Sequence, residues 1–140
     1  MCNENCIFCK IAAAEIPSAT LYEDEDFRVF LDLGPANDGH ALIIPKEHYA
    51  NLLELPEELC GKAMVIAKKL AKRLKDFTGA DGVNIVNNNG EAAGQSVFHF
   101  HVHVIPRWKN DGKFPLWIPG ELTDEVRDKL VEEFKKNPLV

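Results

Sequence analysis

Residues 99–105 read His-Phe-His-Val-His-Val-Ile, a strict alternation of imidazoles with apolar side chains. A period of two belongs to a β-strand, whose alternate side chains share a face about 6–7 Å apart. His99, His101 and His103 are therefore expected to line one face. Phe100, Val102 and Val104 turn to the other, into a core. A merely solvated face would be served equally well by Thr, Lys or Glu, so three titratable rings in register point to chemistry. The pattern asks for a sheet with one apolar face and one chemical face.

The rest of the chain supplies that sheet. Short apolar or β-branched runs at 20–22, 27–32 and 40–44 are separated by Asp24-Glu25-Asp26, Gly34-Pro35 and Asn37-Asp38-Gly39. Gaps this short suit an antiparallel meander, because parallel crossovers need a dozen or more residues. Pro56 opens a long helix, and Leu59, Ala63, Ile66, Ala67, Leu70, Leu74 and Phe77 form its apolar stripe. Glu57 and Glu58 at its start and Lys72, Arg73 and Lys75 near its end match the helix dipole, and Gly79 stops it. Lys68, Lys69, Lys72, Arg73 and Lys75 read as a solvated face. Strands follow at 82–87 and 98–106, with a polar, glycine-bearing loop at 88–96 between them. A loop at 109–120 leads to a last helix, N-capped by Thr123, carrying Val126, Leu130 and Phe134 on one face and ending at Lys135 and Lys136. Five strands and two or three helices in 140 residues make one α+β domain spanning 1–140.

Composition excludes several classes. With 16 Lys+Arg against 22 Asp+Glu, the net charge of −6 weighs against bulk nucleic-acid binding. No apolar run approaches the ~18 residues of a membrane helix. The first residues, MCNENCIFCK, show no basic n-region and no long h-region, so a cytoplasmic, reducing setting is expected. Cys2, Cys6 and Cys9 then read as metal-binding, catalytic or idle rather than as a disulfide framework. Cys60 falls inside the long helix and reads as core or surface.

Two chemistries fit the histidine strand. Several imidazoles can hold one catalytic zinc with an open position. Alternatively one imidazole is a nucleophile while its neighbours hold a phosphate. The loop at 88–96 runs straight into the strand. Its backbone N–H groups, with Gln95 and Ser96, can be aimed at an anion, which favours a phosphate-bearing substrate.

The run Gln95-Ser96-Val97-Phe98-His99-Phe100-His101-Val102-His103-Val104-Ile105 resembles the histidine-triad motif of the HIT family. So, in the same order, do Ile7-Phe8-Cys9-Lys10-Ile11, Glu15-Ile16-Pro17, Phe30-Leu31-Asp32 and 39–48, Gly-His-Ala-Leu-Ile-Ile-Pro-Lys-Glu-His. The likeness covers about 6–107, and is greatest to small bacterial and archaeal proteins of the Hint group. It implies a five-stranded antiparallel sheet with one long central helix, to which this chain adds a C-terminal loop and helix at 108–140. It also implies a nucleotidyl hydrolase or transferase acting at the α-phosphate of purine nucleotide conjugates, such as adenosine phosphoramidates. In that reading His101 is the nucleophile and forms a nucleotidyl-histidine. An imidazole suits this, being uncharged near pH 7 and a good leaving group once protonated. His103 contacts the phosphate, while Ser96 and Gln95 stabilise the phosphoryl oxygens and help position the leaving group. Asn88 matches a phosphate-side Asn, with the register among Asn87, Asn88 and Asn89 open by one. Asp32 binds the ribose hydroxyls, and Ile7, Phe8, Ile11, Phe30 and Leu31 form the base pocket. His40 matches a fourth histidine that supports the site. A homodimer is implied, with two sheets joined into ten strands and the long helices at the interface. The segment from Lys109 onward departs from the short Hint tail that helps shape leaving-group preference.

Cys6-Ile7-Phe8-Cys9 supplies half of a tetrahedral metal site. His48 and His99 are candidates for the rest, and zinc-bearing HIT proteins resemble this chain in using such a set. The expected zinc on Cys6, Cys9, His48 and His99 is closed and structural, with no cofactor needed for the chemistry. Cys2-x₃-Cys6-x₂-Cys9 also has the spacing of a radical-SAM cluster motif, but the barrel that motif requires is larger than this chain. Three alternatives stand beside the phosphoramidase reading. They are a dinucleoside polyphosphate (Ap4A- or Ap3A-type) hydrolase, a non-catalytic nucleotide-binding or scaffold module, and a metallo-hydrolase built on His99, His101 and His103.

Overall fold

Strands that read as near-continuous apolar runs bury both of their faces when helices cover both sides. The computed structural model, which describes residues 2–114 and 117–140, shows this arrangement. The elements run α1 (Ile7–Ala12), β1 (Thr20–Glu23), β2 (Phe27–Leu31), β3 (Ala41–Pro45), α2 (Glu57–Thr78), β4 (Gly82–Val86), β5 (Val102–Arg107) and α3 (Asp124–Lys136). The five strands form one sheet in the order β1-β2-β3-β5-β4, with every neighbouring pair antiparallel. The expected meander is β1-β2-β3. The helix α2 then carries the chain across the sheet, so β5 inserts between β3 and β4.

One sheet face meets α2. Phe27 and Val29 of β2, Ala41 and Ile43 of β3, and Val102 and Val104 of β5 pack there with Phe100, Ala63 and Ala67. Leu59, Ile66, Leu70 and Leu74 pack against this cluster as expected. Phe77 does not: it is 90% exposed. At 3.6 residues per turn the inward position after Leu74 falls to Thr78, whose methyl lies near Gly39. The basic side chains of α2 are exposed, as a solvated face requires. Gly79 takes the left-handed conformation at φ 71° and donates its N–H to Lys75 O, which ends the helix.

The opposite face meets α1. Phe30, Leu42 and Ile44 pack there with Cys6, Phe8, Cys9, Ile11 and Ala12. The short α1 escaped the sequence reading. Its N-cap is a cysteine rather than a hydroxyl or carboxylate residue, with Cys6 Sγ accepting from Cys9 N. At six residues it depends on packing, not on propensity. Arg28 was also missed. It interrupts the apolar run of β2, lies buried at 7% exposure, and its guanidinium donates to Ile11 O at 2.9 Å and Glu23 Oε1 at 2.8 Å. Arg28 thus anchors the end of α1 to the sheet.

The strand expected at 98–106 begins only at Val102. Phe100 N donates instead to Tyr49 O at 2.6 Å, and the His101 carbonyl accepts from Asn87 Nδ2 at 2.9 Å. These bonds draw residues 99–101 out of the ladder, yet Phe100 keeps its side chain in the α2 core. The described residues of 109–120 form neither helix nor strand, and 115 and 116 lie outside the described residues. α3 follows as expected, with Thr123 Oγ1 accepting from Val126 N and its apolar residues Val126, Leu130 and Phe134 about half exposed. No described helix is long and apolar enough to cross a membrane.

Candidate active site and metal centre

The antiparallel register pairs Leu42 with His103. That pairing sets His103 on the α1 face. The His101 and His103 ring centroids lie 5.0 Å apart there, closer than the extended-strand spacing. Phe8 of α1 stacks edge-on against His101 at 5.0 Å. Gly39, at φ +86°, makes the turn that delivers His40, and a Cβ there would come within 3.1 Å of Pro106. His40 Nε2 then meets His103 Nδ1 at 2.8 Å and lies 3.6 Å from Asp32 Oδ2. His40, His101, His103 and Asp32 are brought together on this face.

Hydrogen bonding assigns the protons. His101 Nδ1 lies 2.7 Å from the His99 carbonyl, so it must carry the proton and donate. In a neutral ring, Nε2 is then the bare, nucleophilic nitrogen. Burial depresses the pKa of His101, opposed by the His99 carbonyl and Asp32. Burial, then the neighbouring His101 and His40, lower His103 to about 4. Burial also lowers His40, against the pull of Asp32. The three imidazoles are therefore uncharged near neutrality.

That neutrality has a measurable consequence. An unfolded histidine takes up its proton near pH 6.5. Between about pH 6.5 and 4 the unfolded chain therefore binds protons that folded His103 refuses. Stability should fall as pH drops through that window, by on the order of 2 kcal/mol from His103 alone. Glu23, held down to about 2 by Lys46 and Arg28, acts in a lower window, below its ordinary value of 4.5. Urea midpoints at pH 7.5, 6 and 5 check this, with His103→Gln expected to flatten the slope. Identical midpoints for both chains at all three values would contradict it.

The three asparagines at the start of the loop between β4 and β5 have different partners. Asn87 Nδ2 holds the His101 carbonyl, and Asn89 donates to Asn87 and accepts from Leu52 N. Asn88 lies beside Gly94. Among the described residues its side chain and the exposed Ser96 hydroxyl make no hydrogen bond, which leaves both available to a ligand. Gln95 is different. It is 4% exposed, its Oε1 accepts from Gly90 N, and its Nε2 donates to Ala50 O and Val97 O. Its side chain ties the loop to the segment after β3. The apolar candidates divide as well. Phe8, Ile11 and Phe30 share the α1-side cluster, and Ile7 beside them is half exposed. Leu31 packs instead on the α2-side cluster, because successive strand residues face opposite ways.

Cys6, Cys9, His48 and His99 converge, their ligand atoms all within 4.8 Å of one another. His99 Nδ1 lies 3.5 Å from both Cys6 Sγ and Cys9 Sγ, and His48 Nδ1 lies 3.4 Å from Cys9 Sγ. A tetrahedral zinc with bonds of about 2.3 Å to sulfur and 2.0 Å to nitrogen separates S and N by roughly 3.5 Å. His99 Nε2 donates to Pro45 O at 2.9 Å, which leaves Nδ1 bare and aimed at the thiols. Burial, with Cys6 alongside, raises the Cys9 thiol to about 12. A bound cation is what would hold the Cys9 thiol as a thiolate there. The donor set fits a metal ion. The triad imidazoles, by contrast, do not converge: His99 faces the thiols and His103 faces His40.

A model of the HIT domain matches residues 13–110. The chain belongs to the HIT family. An adenosine 5′-monophosphoramidase of Saccharomyces cerevisiae is 48% identical over 121 residues, 85% of this chain and 73% of that one. The crystal structure of a HIT family member from Bacillus subtilis superposes with a TM-score of 0.88 at 40% identity, covering 98% of this chain and 99% of that one. A Zn-bound histidine triad family protein from Mycobacterium smegmatis superposes at 0.75 with 34% identity, covering 95% and 98%. The five-stranded antiparallel sheet of this chain is thus the HIT fold.

Proposed function

We propose that this HIT protein is a nucleotidyl hydrolase that releases AMP from adenosine phosphoramidates through a nucleotidyl-histidine. The observation that carries the reading is the His101 ring, whose Nδ1–H is committed to the His99 carbonyl and whose Nε2 is left bare beside His103. The similarity to the yeast monophosphoramidase supports the substrate class. His101 Nε2 attacks the α-phosphorus, and the P–N bond breaks as the amine leaves with a proton. Water then cleaves the P–N bond to His101, giving AMP and the free ring. His103, Asn88 and Ser96 contact the phosphate oxygens, with Ser96 at the leaving-group side. Gln95 holds the loop that presents Ser96. Asp32 accepts from the ribose hydroxyls, and Ile7, Phe8, Ile11 and Phe30 flank the base.

Zinc on Cys6, Cys9, His48 and His99 is the metal that the donor chemistry favours. When bound, it ties the start of α1 to His99 and to the segment after β3. His40 supports His103, and no chemical step needs the metal. The homodimer of the family is supported here by features of the surface. β4 is an edge strand with Ile85 exposed, and α2 exposes Met64 and Val65. Both are surfaces that a second copy would cover.

Incubation of the wild-type chain with adenosine 5′-phosphoramidate should release AMP at a rate proportional to enzyme. If AMP binds but no release occurs, the phosphoramidate claim fails. Diadenosine polyphosphates then test the second hydrolase reading, and failure of both leaves a nucleotide-binding module.

A further inference from the structure

A main-chain group faces the far side of His40. Ala36 N lies 3.0 Å from His40 Nδ1. An amide can only donate, so Nδ1 accepts and is bare. The proton of a neutral His40 must therefore sit on Nε2, which lies 2.8 Å from His103 Nδ1. That contact is then His40 Nε2–H donating to a bare His103 Nδ1. The proton of His103 is left on Nε2, the nitrogen facing away from His40. The reverse arrangement would need His40 with no proton on either nitrogen, an imidazolate, and is excluded.

We propose that the Ala36 main-chain N–H is a positioning group that holds His40 and, through it, His103 in one tautomer, so that His103 presents Nε2–H to the substrate. A phosphoryl oxygen or the departing amine carries lone pairs, so a donor at that point binds it and a bare nitrogen repels it.

The segment that carries the amide is held from several directions. Asp32 N donates to His40 O at 2.9 Å, and Gly34 N donates to Asp32 Oδ1 at 2.8 Å. His40 N donates to Asn37 O at 3.1 Å. Asn37 Nδ2 donates to Pro106 O at 3.0 Å and to Asp111 Oδ2 at 2.9 Å. Asp111 is in turn gripped by Arg107. The amide is aimed by the end of β5 and the turn after it, not by the loop alone.

The same amide decides a second question. Asp32, His40 and His103 place ligand atoms within 4.8 Å of one another, close enough to hold a cation. A metal needs a bare nitrogen. His40 faces the group with its protonated Nε2, and its bare Nδ1 is taken by Ala36. The trio is a proton-ordered relay rather than a metal site.

The catalytic half of this inference rests on the phosphoramidase reading. The tautomers do not, and they are read without nucleotide, so the two can fail separately. Ring nitrogen shifts of ¹⁵N-histidine-labelled, metal-loaded protein at pH 8, assigned with His40→Gln and His103→Gln, should show both rings in the Nε2–H form. Replacing the Ala36 amide by an ester deletes the N–H and keeps the side chain. His40 should then become a tautomer mixture. AMP release should lose about tenfold in kcat with KM little changed, as expected when one hydrogen bond orienting a proton donor is lost. Ala36→Gly retains the amide and should keep the wild-type tautomers. Ala36→Pro, compared at equal folded fraction by circular dichroism, is the recombinant counterpart of the ester. The proposal is overturned if His103 carries its proton on Nδ1 in wild type. It is equally overturned if the ester leaves the tautomers unchanged, or if stoichiometric Ni²⁺ broadens the His40 and His103 rings together.

Discussion

His101→Ala should abolish AMP release from adenosine 5′-phosphoramidate, with kcat falling by about four orders of magnitude or more, while AMP binds within a few-fold of wild type. The size follows from the chemistry. Removing a nucleophile costs several orders because no neighbouring group substitutes for it. Here the bare Nε2 of His101 has no replacement: His103 Nδ1 is engaged by His40, and His99 Nδ1 points at the cysteines. Binding should persist because Asp32, Asn88 and Ser96 remain. The truncation also opens space beside Phe8 and should cost on the order of 1–3 kcal/mol of stability. His101→Gln fills most of that space and should be as inactive but more stable. Rapid-quench labelling with an α-³²P substrate should trap an acid-labile phosphoprotein in wild type and none in either variant. Turnover within tenfold of wild type in His101→Gln would eliminate the covalent route.

Removing the metal should destabilise the fold before it touches the chemistry. The four ligands join α1, the segment after β3 and the start of the triad run, which lie 39 to 93 residues apart in sequence. Without a cation, the buried Cys9 thiol and the bare His99 Nδ1 lose their partner. Stripping with a chelator, or Cys9→Ser, should lower Tm by roughly 10–15 °C. That corresponds to about 3–5 kcal/mol for a chain of this length, and zinc at a site of this kind binds tightly enough to supply it. At a temperature where the stripped protein is still folded, turnover should fall less than about fivefold, through a looser placement of His101. Complete loss of turnover with the fold intact would revive a metal-dependent hydrolysis. Unchanged Tm after verified metal removal would refute the structural role.

The sheet was legible because its signals are local. The apolar runs at 27–32 and 40–44 mark strands, alternation in 99–105 determines which side chains share a face, and the helical stripe from Leu59 to Leu74 determines what covers one face of the sheet. Those patterns survive in the structure because burying them is worth more than any local alternative. Where they failed, a longer-range contact won. Tyr49 and Asn87 took the hydrogen bonds that would have extended β5 to residue 98. Phe77 ran past the sheet, and Leu31 went to the face opposite Phe30. The six-residue α1 had no local signature strong enough to read.

The site divides in the same way. Residue types and spacing alone determined that three imidazoles alternate, that a CxxC precedes them, and that a polar loop enters the strand, which narrows the chemistry to a catalytic metal or an imidazole acting on a phosphate. Which nitrogen of each ring is bare, which asparagine is free, and that Gln95 serves its own loop were decided only in three dimensions. The reason is geometric. A ring's tautomer is set by the partner on its other nitrogen, and those partners are Pro45 O for His99, His99 O for His101 and Ala36 N for His40. Two of the three are main-chain groups of other segments or turns, which any residue type supplies and no sequence pattern marks.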